Sequence, residues 1–188
     1  MLTSSPLSRV RVALLIVLAL LALAPAASAQ YITLGISAGI GGADEIDGPG
    51  SVEIDPGFDN LGIQLSAAFE TTPRNGFVIR LGQFDLESDI DGVGDLFDSE
   101  LTYATVAGFY KFSESYYKSG LFLGVGYYDL SGERAIDDES GAGLTFGVTG
   151  DFPINQRLGV AIEFAGHATD LDTADVFITG HVGLTLRF

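Results

Sequence analysis

His167 and His181 are the only imidazoles in the chain, and there is no cysteine. A connection near 169–175 that sets Ala168 opposite Val176 would place Glu163 directly facing His181, and a carboxylate beside an imidazole forms a charge-assisted hydrogen bond. Glu70, Arg80 and Arg187 are further isolated charges in stretches of small and apolar residues, and they are expected to extend that pair into one polar network. The run "DIDGVGDLFDSE" offers a second chemistry. Asp89, Asp91, Gly94 and Glu100 take the first, third, sixth and twelfth places of a calcium loop, with Asp95 between them, but Val93 fills the fifth place, where an oxygen ligand belongs. The other reading of this run is a solvated acidic hairpin tip. In "GHATD", His167 stands at the loop end of the seventh segment. A rim histidine without catalytic work is the preferred reading there.

These residues need a scaffold, and the bulk sequence limits which kind. The start, "MLTSSPLSRVRVALLIVLALLALAPAASAQ", carries Arg9 and Arg11, an apolar run and Ala27-Ser28-Ala29, the three regions of a secretory signal peptide. The expected domains are therefore a signal peptide over 1–29 and one exported domain over 30–188. The exported part keeps seven basic residues against 25 acidic ones, so nucleic acid is excluded as a partner by repulsion. Without cysteine, no disulfide framework stabilises it. Hydrophobic content of 47% with 25 glycines also separates it from disordered acidic chains.

Beyond residue 30 the apolar positions recur at every second residue, the period of a strand with one apolar face. In "YITLGISAGI", Ile32, Leu34, Ile36, Ala38 and Ile40 alternate with Thr33, Gly35, Ser37 and Gly39. Seven more segments follow, starting near Leu61, Phe77, Leu101, Leu121, Leu144, Leu158 and Val176; the fourth carries apolar residues on both faces. Each is about 9 to 13 residues, the length with which a tilted strand crosses a bilayer. Short connections near 73–76, 113–116 and 153–157 alternate with longer ones near 42–57, 85–100, 129–143 and 169–175. Those four longer segments hold twenty of the 25 carboxylates and one base, Arg134. Acidic loops at one end and short turns at the other describe an up-and-down membrane barrel.

A soluble sandwich would carry many charges on its second face. Here that face is mostly Gly, Ala, Ser and Thr, which suits the inside of a narrow cylinder and sends the apolar face into lipid. Aromatic residues near strand ends read as two interfacial girdles, with Phe84, Tyr103, Tyr127, Tyr128 and Phe164 at the loop end and Phe69, Phe77, Phe112, Phe152 and Phe188 at the turn end. In the final "HVGLTLRF", His181, Gly183, Leu186 and Phe188 stand at the polar, glycine and apolar positions of a segment that resembles the C-terminal assembly signal of Gram-negative outer-membrane barrels. Across 30–188 the chain resembles the small eight-stranded barrels of the OmpA/OmpX type. That resemblance implies an all-β, antiparallel transmembrane barrel in the bacterial outer membrane, with both termini in the periplasm. It implies outer-membrane lipids and lipopolysaccharide as surroundings, and periplasmic chaperones and the barrel-assembly machinery as partners. Small barrels that deacylate lipid A carry a His-x-Ser pair near the place of His167-x-Thr169, but this chain has Thr for Ser and no Asn follows.

The expected role is structural or surface interaction through the acidic loops, without enzymatic activity and without a cofactor. Calcium at the second long loop, a narrow ion-conducting channel and a lipid A-modifying enzyme are the alternatives. The surface ligand is not specified by the sequence.

Overall fold

The computed structural model describes residues 31–44, 61–90, 94–112, 118–132, 139–171 and 176–188; the signal peptide expected over 1–29 lies outside them. Eight strands follow in order: β1 (Tyr31–Asp44), β2 (Leu61–Glu70), β3 (Asn75–Ile90), β4 (Gly94–Lys111), β5 (Lys118–Gly132), β6 (Glu139–Pro153), β7 (Leu158–Thr169) and β8 (Val176–Arg187). Each pairs antiparallel with the next, and β8 returns to β1 through pairs such as Ala38 with Val182, so the sheet closes and leaves no edge. Closure is what hydrocarbon demands, because an unpaired amide in lipid costs several kcal/mol, roughly. Phe188 adds to the seam by donating its backbone N–H to the Ile32 carbonyl at 2.9 Å.

Alternation becomes inside and outside. Ile63, Leu123 and Ile178, each more than 60% exposed, belong to continuous outward rows, and among the described residues twenty-five large apolar side chains are exposed. A soluble monomer rarely shows apolar patches beyond a few hundred Å². A surface this greasy has to be covered by acyl chains. The fourth segment, ambiguous by sequence, is resolved by its pairing: Leu101, Tyr103, Thr105 and Ala107 are buried in the lumen, while Val106 and Tyr110 are exposed outside.

Two short turns at one end are tied by side chains. The Thr72 hydroxyl accepts the Asn75 N–H at 3.0 Å, and the Asn155 side-chain oxygen accepts those of Arg157 and Leu158, both at 2.8 Å. At the other end the strands run further than the apolar alternation suggests. β3 and β4 have 16 and 18 residues, so most of the segment 85–100, expected as a loop, is paired hairpin. The apolar signal stops where lipid stops, whereas strand pairing continues into water with polar residues on both faces. Asp85, Glu100, Asp129 and Glu139 accordingly lie on strand extensions.

Candidate functional site

Among the described residues, buried chemistry is concentrated in the lumen, and eight strands make a cylinder just wide enough for side chains to fill. Large and small residues alternate along its wall. A Cβ on Gly126 would sit 2.7 Å from Thr105 and 2.8 Å from the Tyr128 hydroxyl, and one on Gly147 would sit 2.7 Å from the Phe122 ring. These inward glycines leave the volume that Tyr128 and Phe122 occupy.

At mid-height, Arg80 on β3 reaches across to Glu163 on β7. Its Nη2 and Nε donate to one carboxylate oxygen at 2.6 and 3.0 Å, and the Gln64 amide donates to the other at 3.2 Å. The guanidinium lies 4.0 Å from the centre of the Phe122 ring. Above this pair, the Tyr103 hydroxyl donates to Gln64 Oε1 at 2.7 Å and contacts His181 Nε2 at 3.3 Å. His167 hydrogen-bonds the Tyr128 hydroxyl at 3.0 Å and the Thr179 hydroxyl at 3.3 Å, and stacks on Phe177 at 4.3 Å between centroids. Phe84, Leu101, Tyr128, Leu130, Leu171 and Phe177 then form an apolar cap towards the loop end.

Turn-end chemistry is separate. Lys111 is paired with Glu70, Lys118 stands 3.9 Å from the same carboxylate, and Arg187 holds both oxygens of Asp151 at 2.6 Å.

The expected register is present: Glu163 does pair with His181, and both point inward. Their expected mutual bond is not formed. Arg80 offers two charged N–H donors to the carboxylate, which turns to it, while His181 turns to Tyr103. Nor is there one network, since Glu70 and Arg187 belong to their own pairs at the turn end. Gln64, Tyr103, Lys111, Lys118 and Asp151 were not foreseen; counting inward parity back from Thr105 would have found Tyr103, and forward from it Lys111. Phe84, Tyr103 and Tyr128, expected in a girdle, are instead inward and at most 1% exposed.

The other sequence candidates lie towards the loop end. Asp89 pairs with Asp95 and Glu100 with Asp85, which sets Glu100 about 13 Å along the hairpin from Asp89 at the usual strand rise. First and twelfth ligands of a calcium loop share one ion, and Asp91 lies outside the described residues. Among the described residues no group of three His, Asp or Glu is gathered as a metal site. His167 spends its two nitrogens on Tyr128 and Thr179 rather than Thr169, inside the lumen and away from lipid.

No known protein family and no curated protein matches the chain. Solved structures do. Ail, the attachment invasion locus protein of Yersinia pestis, is 18% identical over 84% of this chain and 98% of its own, with a TM-score of 0.58. A major outer membrane protein from Thermus thermophilus is 14% identical over 84% and 99%, with a TM-score of 0.59. OprG from Pseudomonas aeruginosa is 14% identical over 84% and 95%, with a TM-score of 0.58. This chain has the fold of the small eight-stranded outer-membrane β-barrels. In this barrel the last strand sends His181 and Gly183 into the lumen, while Leu186 and Phe188 stand exposed in the outward row. Such identities carry the fold alone.

Proposed function

We propose that the mature chain, residues 30–188, is a closed, non-enzymatic barrel of the outer membrane that works through its loop end, with the turn end and both termini in the periplasm. The single observation behind this is the filled lumen: the Arg80–Glu163 layer and the aromatic cap lie in series across the bore. Side chains that occupy the bore leave the loops as the working surface. Carboxylates dominate those loops in the sequence, so the partner is cationic or reached through divalent cations, as at the anionic surface of lipopolysaccharide. One Ail structure holds the heparin analogue sucrose octasulfate, a polyanion that this acidic end would repel. The residues His181, Gly183, Leu186 and Phe188 are proposed as the handle for the assembly machinery.

Conductance of the purified barrel across a planar bilayer tests the plug. Silence at moderate voltage is expected from the wild-type barrel, and also when Arg80 and Glu163 are both replaced by alanine, because the aromatic cap still closes the bore. A steady, resolvable current through the wild-type barrel would replace this reading with that of a channel. A binding screen with intact and loop-trimmed barrels tests the loops, since only the intact form should retain partners.

A further inference from the structure

A groove of about 320 Å³ runs along the outside of the β7–β8–β1 seam, lined chiefly by Leu34, Ile36, Leu158, Leu184 and Leu186. The register explains it. Leu158, Leu186 and Leu34 form one outward line across three strands, Leu184 and Ile36 continue the next, and small Gly35 and Thr185 floor the space between. The groove is open to its surroundings, and nearly all of its lining is apolar. A hydrocarbon chain is the ligand such a lining accepts.

Beyond the Leu158 end of the groove lies a polar turn. Arg157 directly precedes Leu158, is exposed, and accepts the Arg187 N–H on its backbone carbonyl at 2.7 Å. Its guanidinium has no hydrogen-bond or ion-pair partner among the described residues, whereas neighbouring Arg187 is neutralised by Asp151. Nearby Ile154 and Phe188, 56% and 67% exposed, place this turn where the apolar belt meets the headgroups. A planar guanidinium there matches a phosphate with two N–H donors. The sign of the surroundings agrees. Among the described residues, Arg74, Lys111, Lys118, Arg157 and Arg187 crowd the turn end against Glu70 and Asp151. The loop end carries Asp85, Glu100, Asp129, Glu139 and Asp170, with no Lys or Arg among its described residues.

We infer that this seam binds one anionic glycerophospholipid of the periplasmic leaflet, its acyl chain in the groove and its phosphate on Arg157. The site rests on the membrane placement proposed above. Loss of that placement would show as a barrel that stays dissolved without detergent; failure of the site would show as a detergent-folded barrel with no lipid preference.

The experiment is native mass spectrometry of the folded barrel in micelles, with phosphatidylglycerol or phosphatidylcholine of identical chains added. One phosphatidylglycerol should be retained in preference to phosphatidylcholine. Arg157→Gln should lower that retention roughly fivefold, from the worth of one base at an anionic surface, and Arg157→Lys should restore most of it. Ile36→Trp, which fills the groove, should lower retention of both lipids. Arg74→Gln, an equal charge change at another turn, should leave retention unaltered. Equal retention of both lipids, or no loss with Arg157→Gln or Ile36→Trp, would overturn the site. An equal loss with Arg74→Gln would also overturn it, showing diffuse charge instead.

Discussion

Arg80→Met is the most informative single substitution in the lumen. Methionine keeps much of the volume over the Phe122 ring but removes both charged donors to Glu163. The Arg80 and Glu163 side chains are only 4% and 11% exposed, so the carboxylate would remain buried with Gln64 as its one described partner. Breaking one side of a buried pair costs about 3 to 5 kcal/mol, most of it the penalty of the charge left behind. Because Gln64 stays and packing is largely preserved, the lower end, about 3 kcal/mol, is expected. Adding Glu163→Gln removes that stranded charge, and the double variant should return to within about 1 kcal/mol of wild type. Urea titration of the barrel folded into lipid vesicles, followed by circular dichroism, reads both numbers. A single variant costing under about 1 kcal/mol, or a double variant costing the sum of the two singles, would refute the idea that this pair is a desolvated, mutually dependent unit.

Other substitutions probe the remaining layers. Gly126→Val places a side chain against Thr105 and Tyr128 and should cost about 1 to 3 kcal/mol by overpacking, in the same titration, with Tyr128→Ala recovering part of it. Tyr103→Phe deletes the hydroxyl that joins Gln64 to His181 and should cost about 1 to 3 kcal/mol, since partners are left buried and unsatisfied; no change would mean the bond is idle. Leu123→Arg, on the outward row of β5, should cost about 2 to 4 kcal/mol in vesicles, as an arginine does near the middle of the bilayer, whereas the same change on a water-exposed face would be almost neutral.

The alternation of β1 and β8 made the barrel legible because a period of two, sustained through Ile32 to Ile40 and Val182 to Phe188, has few other solutions once no charge interrupts the apolar row. The register of β7 with β8 was legible too, since one hairpin connection fixes every pair after it, Glu163 with His181 included. Across the bore the sequence is silent. Arg80 and Glu163 are 83 positions apart, and only closure of the cylinder brings them to 2.6 Å. Arg80 therefore could be assigned to the lumen by parity, but not to its partner. Tyr103 was misplaced for a related reason: aromatics near strand ends serve equally as girdle or cap, and its choice rests on parity counted within a segment, Leu101 to Phe112, whose two faces are both apolar, whereas Phe84 shares the inward parity of Arg80 and was assigned by its place near a strand end alone. The length of β3 and β4 escaped because hydropathy marks the lipid boundary and not the end of pairing.

Everything depends on the outward rows meeting acyl chains, and the chain's lack of tryptophan provides a clean probe. Leu123→Trp and Phe122→Trp place single indoles on opposite faces of β5 at adjacent positions, in vesicles whose acyl chains carry bromine quenchers. Strong quenching of the residue 123 probe with little at residue 122 is expected. Equal quenching at both positions, or emission at 123 untouched by the brominated lipid, would contradict a lipid-facing exterior around a filled lumen.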